Sequence, residues 1–267
     1  MKRAGINSRK IGRSRAQLAL AVGTPHRKAK DGSRRGGKRP GAGRKPNGTV
    51  AMVSHARRPP HKAAHPLHIS MKALPDVPNL RQPRLVRVIK NAMRQVHALQ
   101  RDDASRGAFR IAEFSIQDTH VHILAEAGDK RAMVRGMSSL SIRIALSIKR
   151  VLGRDDKVWC DRYYARRLTM PKEVRNALVY VLLNSIKHKP DRLAAGRRQT
   201  STQVLVDARC TSAPWFRGFS PTCEASWWDA GTSTEPEPPV AAATTWLLTT
   251  GWRRHGLIDP QRDGPRS

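Results

Sequence analysis

Two hydrophobic periodicities alternate between residues 65 and 190, and this alternation constrains the fold more than any other feature of the chain. Apolar residues at every second position predict strands, whereas apolar residues three and four positions apart predict helices with one buried side. Two of the strands are separated only by Asp118-Thr119, which predicts a hairpin. The resulting order β-α-β-β-α-β-α favours an α+β fold with helices laid on an antiparallel sheet.

Glycine and proline mark the ends of the predicted helices. Gly153 follows the second helical pattern, as expected of a C-terminal cap. Pro171 stands at the first position of the third helix, and Pro190 stops it. The predicted elements are a strand at 65–71, a helix at 84–100, strands at 109–117 and 120–125, a helix at 131–152, an irregular segment or last strand at 159–169, and a helix from 171 to about 188.

Positive charge is distributed unevenly along the 267 residues. Lys and Arg number 51 against 20 Asp and Glu, a formal net charge of +31. Residues 1–62 carry +17 of this charge, residues 63–190 carry +13 and residues 191–267 carry +1. These steps predict three parts, namely a disordered basic arm (1–62), a folded domain (63–190) and an irregular C-terminal extension (191–267). The charge favours a polyanionic partner, most simply DNA.

Hydropathy and cysteine usage narrow the expected setting. The sequence has no apolar run near the roughly 20 residues that span a bilayer. Its three cysteines are odd in number and far apart, which argues against a disulfide framework and for a reducing compartment. We therefore expect a cytoplasmic, nucleoid-associated protein without a membrane partner, present as a monomer or homodimer.

The basic arm contains the segment Gly36 to Pro46, in which two basic-basic-Pro units flank a glycine-rich hinge. This pattern resembles the AT-hook type of minor-groove peptide. Arginine seeks the negative potential of a narrow minor groove, and proline keeps the chain extended. The DNA-contacting residues predicted here are Lys38, Arg39, Arg44 and Lys45. A solvated basic linker that contacts phosphates without preference is an equally open interpretation.

The C-terminal extension also carries aromatic and basic residues, at Thr245 to Leu248 and at Gly251 to Gly256. Tryptophan beside arginine is typical of platforms on which nucleotide bases stack. A tail helix packed on the domain is the simpler interpretation, and we favour it.

His120 and His122 occupy positions i and i+2 of a predicted strand, so both imidazoles lie on one face of the sheet. Two imidazoles about 7 Å apart along a strand can converge on one cation. A pair of half-buried strand histidines without a ligand is the alternative. The pattern alone does not decide between them.

The third predicted helix carries Tyr180 and Asn184, which lie side by side on its polar face because they are four residues apart. A phenol and a carboxamide that face a metal held by two histidines make chemical sense as a nucleophile and a third metal ligand. The alternative is a surface tyrosine that makes a hydrogen bond along the helix.

These motifs resemble a known family. The segment Ile116-Gln117-Asp118-Thr119-His120-Val121-His122-Ile123-Leu124 is similar to the histidine-hydrophobic-histidine strand of HUH single-tyrosine transposases. Residues 159–189, with Arg162, Tyr163-Tyr164 and Tyr180-Val181-Leu182-Leu183-Asn184, resemble the end of that domain. The branch that the pattern resembles is the REP-associated tyrosine transposases, in which Asn follows the tyrosine by four residues. The resemblance covers residues 65–190, roughly half of the chain.

This resemblance implies a ferredoxin-like core with the His pair on a central strand. It implies Mg²⁺ or Mn²⁺ held by His120, His122 and Asn184, and single-stranded or hairpin DNA whose scissile phosphate is attacked by Tyr180. The products would be a 5′-phosphotyrosine and a free 3′-OH, and reversal on another strand would rejoin the DNA. Arg162 and Lys187 are expected to contact DNA. Because both histidines must be neutral to bind a metal, activity is expected to fall below about pH 6.5.

Two other functions compete with this interpretation. A phosphoesterase of the two-histidine class needs paired His-x-Ser/Thr units, and His68-Ile69-Ser70 matches one of them. A domesticated or decayed transposase-like protein would bind DNA without catalysis, and its binding would survive loss of Tyr180. Tyr163 and Tyr164 are the only other tyrosines, and their surroundings favour packing or DNA contact.

Overall fold

The computed structural model describes residues 60–101, 109–183, 208–221 and 237–264, with side chains through residue 99 in the first range. The predicted element order β-α-β-β-α-β-α is confirmed. The elements are β1 (Leu67–Lys72), α1 (Pro83–Arg101), β2 (Phe109–Ile116), β3 (His120–Ala127), α2 (Lys130–Leu152), β4 (Tyr164–Arg167) and α3 (Pro171–Leu183). Residues 1–59, with the AT-hook-like segment, and the expected end of α3 near residue 188 lie outside the described ranges.

The four strands form one antiparallel sheet in the order β2-β3-β1-β4. A β-α-β-β-α-β chain in this order is the ferredoxin-like arrangement, so the predicted fold class is confirmed. Strand β3 lies between β2 and β1, which places the His120–His122 pair on an inner strand. The Gln117–His120 backbone hydrogen bond, 2.8 Å long, closes the β2–β3 hairpin at the predicted turn.

Helices α1 and α2 cover one face of the sheet. The buried residues Leu67, Ile69 and Met71 of β1 point into this layer and alternate with His68 and Ser70, which point the other way. Helix α2 begins after Asp129, whose carboxylate accepts a 2.6 Å hydrogen bond from the amide of Ala132. It ends at the predicted cap, Gly153, in the left-handed region (φ 62°, ψ 39°).

Helix α3 and the C-terminal segments cover the opposite face. Buried residues of α3 pack with Leu124 of β3 and with residues of the extension, among them Ala213, Leu248 and Trp252. In the described residues of the extension, the helices are α4 (Trp246–Thr249), α5 (Pro260–Asp263) and the 3₁₀ helices Ala213–Trp215 and Gly251–His255. These segments of the extension therefore pack on the domain, as in the interpretation favoured from the sequence.

Backbone hydrogen bonds join the extension to the free edge of β2. The Ile116 amide donates to the Cys210 carbonyl (2.7 Å), the Ser212 amide donates to Phe114 (3.0 Å), and the Ala241 amide donates to Ile111 (2.9 Å). This pairing covers an edge that would otherwise expose unpaired backbone groups. In the described ranges, no helix is both long and apolar enough to cross a membrane.

Candidate active site

The sheet face beneath α3 carries the predicted histidine pair. His120 and His122 lie on this face of β3, with ring centroids 6.0 Å apart and nearly parallel planes (9°). The hydroxyl of Thr119 lies 2.7 Å from Nδ1 of His120, so the two side chains contact each other at this end of β3. The structure therefore brings the two imidazoles together as the strand periodicity predicted.

A third histidine joins the pair from β1. Ser70 is directly opposite His122 in the β1–β3 register, and His68 is opposite Leu124. This register puts His68 on the same face, with its ring centroid 5.5 Å from that of His122. Sequence reasoning considered His68 only as half of a rival phosphoesterase motif. The signal in the sequence is that polar residues stand at positions i and i+2 both in β1 (His68, Ser70) and in β3 (His120, His122), two strands that are paired in the sheet.

Tyr180 lies over these histidines from α3. Its ring meets that of His122 edge-on, at 5.1 Å and 84°, and that of His68 at 5.6 Å and 66°. The residue stays 42% exposed, so the phenol is accessible from solvent. Val174, Leu178 and Val181 are buried on the apolar side of α3 and fix the face that the helix presents to the sheet.

The site keeps its buried imidazoles neutral. Burial, followed by the neighbouring imidazoles of His68 and His120, lowers the pKa of His122 to about 3. Burial and then the positive charge of Arg166 lower the pKa of His68. Protonation of His122 is therefore not the step that would limit activity near pH 6.5. Neutral imidazole is the form that binds a metal ion.

Two buried nitrogens of the site lack partners. Nδ1 of His122 and Nε2 of His68 make no hydrogen bond within the described part of the chain. Such atoms cost free energy unless a ligand or another partner satisfies them. The described ranges contain no group of three or more His, Cys, Asp or Glu side chains arranged to hold a metal ion. Two imidazoles with unused nitrogens are thus a partial donor set, to which at least one ligand must be added.

Polar residues continue the site across the whole sheet. Paired positions align five side chains on one row beneath α3: Thr211, Ser115, His122, Ser70 and Tyr164. Thr211 and Ser115 are buried, whereas Tyr164 at the other end is exposed. The buried end of this row therefore carries the hydroxyl groups of Thr211 and Ser115, whereas the end at Tyr164 is accessible to solvent.

The rim near β4 combines a cation with an anchored carboxylate. Arg166, paired with His68 across β1 and β4, forms a 2.6 Å ion pair with Glu173. The carboxylate of Glu173 also accepts hydrogen bonds from the amides of Thr169 and Met170 at the start of α3. The Thr169 amide, as the largest cause, lowers the pKa of Glu173; Arg166 and the Met170 amide add to this, while burial opposes it. The carboxylate therefore holds the charge of Arg166 near the histidines.

The remaining predicted site residues have different outcomes. Arg162 lies in the irregular segment before β4, half-buried, and its amide donates to the Asp161 carboxylate. Tyr163 packs against the core between the sheet and α1–α2, as expected of a packing residue. The residues Lys38, Arg39, Arg44, Lys45, Asn184 and Lys187 lie outside the described ranges, so their roles stay predictions.

Comparisons with solved structures give distant likenesses, one of which is to a transposase. No protein-family model matches the sequence, and no curated protein matches it. A solved structure of a REP-associated tyrosine transposase bound to a REP hairpin is similar over 51% of this chain and 75% of that chain, with 18% sequence identity and a TM-score of 0.40. At this level of similarity the likeness does not assign an activity to this chain.

Proposed function

We propose that the protein breaks and rejoins single-stranded DNA, or the single-stranded part of a hairpin, through metal-assisted attack by Tyr180. The observation that carries this proposal is the placement of the exposed Tyr180 ring edge-on to His122 and His68, above imidazoles with unused buried nitrogens. A surface tyrosine that only stabilised its helix would not need three histidines beneath it.

The residues present fit a divalent metal in part. His120 and His122 would hold Mg²⁺ or Mn²⁺, and Asn184, four residues after Tyr180 in the sequence, is the proposed third ligand. The neutral state of His122 supports this assignment. The bound ion would supply a positive charge that polarises the scissile phosphate and stabilises its transition state.

The protein's own groups carry out the exchange of bonds. The phenol oxygen of Tyr180 gives its proton to solvent water and attacks phosphorus, while the bond from phosphorus to the 3′ oxygen breaks and that oxygen takes a proton from water. One phosphodiester is exchanged for another, so no nucleotide cofactor is consumed. The free 3′-OH of a strand can then attack the phosphotyrosine and rejoin the DNA.

Binding of the DNA rests on charge. Arg166, which forms an ion pair with Glu173 at the rim of the site, would contact a phosphate of the strand. The net +17 of residues 1–62 would hold flanking duplex through counterion release, with affinity that falls as salt rises. Arg162 and Lys187 are further proposed contacts.

The test is a denaturing gel of labelled hairpin and single-stranded oligonucleotides incubated with Mn²⁺ and the full chain. We expect a covalent protein–DNA band with the wild type and none with Tyr180→Phe. The matched control is Tyr164→Phe, because Tyr164 is also exposed on this sheet face. Tyr164 lies on β4, and Ser70 of β1 separates it from His122 of β3. Salt-sensitive binding without any covalent band, across varied substrates, would support the non-catalytic alternative.

A further inference from the structure

Trp246 is an exposed tryptophan in a fixed position on the face that carries the candidate site. It opens α4 and is 48% exposed, whereas Trp252, six residues later, is buried. The guanidinium of Arg254 lies 4.9 Å from the centre of its ring. Gly251 packs so closely that a Cβ there would stand 2.7 Å from the indole, so the ring leans on bare backbone. These contacts with Arg254 and Gly251 therefore hold the partly exposed ring in one orientation.

A buried carboxylate ties this element to the strand that carries the histidines. Glu126 of β3 accepts hydrogen bonds from the amides of Thr244 (2.9 Å) and Thr245 (2.7 Å) and from the Thr244 hydroxyl (2.8 Å). Thr245 is the N-cap of α4. Glu126 lies four residues after His122 on the same face of β3, which is roughly 13 Å along the strand. That distance equals roughly four nucleotides at the spacing of about 3.4 Å that stacked bases have along one strand of a duplex.

The surroundings of Trp246 are cationic. The exposed side chains of Arg253 and Arg254 follow it, and Arg253 donates a 2.8 Å hydrogen bond to the carbonyl of Arg217, which is also exposed. The sequence has no acidic residue from Trp246 to Gly256. A partly exposed indole with one guanidinium stacked over its ring and others nearby is a combination that binds single-stranded nucleic acid, through stacking on bases and charge on phosphates.

We propose that Trp246, with Arg253, Arg254 and Arg217, forms a stacking platform for an unpaired base of the DNA strand that Tyr180 attacks. This inference rests on the proposed function for the identity of the strand. The platform holds the strand at the Glu126 end of β3, while the scissile phosphate lies at the His122 end. Because every base has a π face, the platform accepts bases of any sequence.

The first test measures binding by the full chain in a Tyr180→Phe background, so that cleavage cannot interfere. The probes are a labelled oligothymidine of about 20 nucleotides and a duplex of equal length. Trp246→Ala should weaken oligothymidine binding roughly 5- to 100-fold and leave duplex binding nearly unchanged, while Trp246→Phe retains most of the affinity. The control Ile142→Ala removes another exposed apolar side chain, from α2 on the other side of the sheet, and should change neither.

The second test separates the platform from the chemistry. In the chain with Tyr180 intact, Trp246→Ala should reduce covalent adduct at low DNA concentration and approach the wild-type yield at saturating DNA. Arg254→Ala should lower the salt slope of binding by about one. Equal oligothymidine affinity of wild type and Trp246→Ala would overturn the platform, as would dissociation of a dimer by this substitution in sedimentation velocity. Absence of adduct with the platform effect intact would overturn only the proposed chemistry.

Discussion

The ring of Tyr180 stands edge-on to the imidazole of His122, with centroids 5.1 Å apart and planes at 84°. The two residues are 58 positions apart in the sequence and come from different layers. Strand β3 fixes the imidazole, and the buried side of α3 fixes the phenol. If Tyr180 acts as the proposed nucleophile, a phenol held in this way would have lost much of its orientational freedom before substrate binds, which would lower the cost of reaching the transition state.

Thr119 is expected to orient His120 through the 2.7 Å contact between its hydroxyl and Nδ1. Thr119→Ala should weaken Mn²⁺ binding roughly 10-fold, because groups that hold a ligand in its binding tautomer typically have effects of this size. Titration of Mn²⁺ into the full chain, followed by electron paramagnetic resonance, measures this. Thr119→Ser keeps the hydroxyl and should bind Mn²⁺ like the wild type. Identical affinity of the alanine variant and the wild type would contradict an orienting role.

Glu113 of β2 is expected to make stability depend on pH. Burial raises the pKa of its carboxyl to about 8, and a hydrogen bond from the Ser212 hydroxyl opposes that shift only in part. A carboxyl whose pKa is higher in the folded chain than its ordinary 4.5 stabilises the fold fully below that value. This contribution is lost as the pH rises through about 8.

Glu113→Gln should remove this dependence, since the amide carries no charge at any pH. Melting temperatures measured from pH 5 to pH 9 should therefore fall less for the variant than for the wild type over that range. Parallel curves for the two proteins would show that the carboxyl does not titrate between its ordinary pKa and about 8.

Glu126 is expected to be a main anchor of the C-terminal segment. It is 2% exposed and accepts its hydrogen bonds from Thr244 and Thr245. Glu126→Ala should lower the free energy of unfolding by about 3 kcal/mol, because hydrogen bonds to a charged group are lost and buried amides are left unpaired. Urea unfolding measures this, and limited proteolysis should show faster cleavage near residue 244.

The control for Glu126 is Asp156→Ala. The Asp156 carboxylate is 85% exposed and lies 3.9 Å from Arg154, a geometry that contributes little to stability. Its substitution should change the free energy of unfolding by less than about 0.5 kcal/mol. If both substitutions had the same small effect, the anchoring role of Glu126 would be wrong.

Gly136 sets the distance between α2 and β2. A Cβ at this position would lie 2.3 Å from Cγ of Phe109, a fully buried ring that cannot move aside without displacing the core. Gly136→Ala should destabilise the fold by about 1–3 kcal/mol despite the better helix propensity of alanine. Ser138→Ala, at an exposed position two residues later on α2, should be neutral or slightly stabilising in the same thermal unfolding assay.

Local patterns predicted most of the framework. The order of elements, the Gly153 cap, the His120–His122 pair on one strand face and the polar side of the helix that carries Tyr180 all depend on residues close together in the sequence. Strand β3 continues two residues beyond its predicted end at residue 125. The charged Glu126 interrupts the apolar pattern in the sequence, but in the structure its carboxylate accepts hydrogen bonds from the amides of Thr244 and Thr245 and stays within the strand.

Long-range pairing could not be predicted in the same way. His68 enters the site only through the register of β1 on β3, and Thr211 only through its bridge to Ser115. No periodicity in a local window specifies which strands pair or in which register. The same reason explains why the C-terminal extension read as irregular, since its place on β2 and β3 is fixed by hydrogen bonds to residues about 100 positions away.

The most direct test of the central claim is to map the tyrosine that becomes attached to DNA. Trypsin places Tyr180 alone in the peptide 176–187 and Tyr163 with Tyr164 in the peptide 163–166, and the chain has no other tyrosine. After reaction with single-stranded DNA and Mn²⁺, and nuclease trimming of the bound strand, mass spectrometry should find a nucleotide mass on peptide 176–187. A nucleotide on peptide 163–166, or an unmodified peptide 176–187 under conditions where DNA is bound, would contradict the assignment of Tyr180 as the nucleophile.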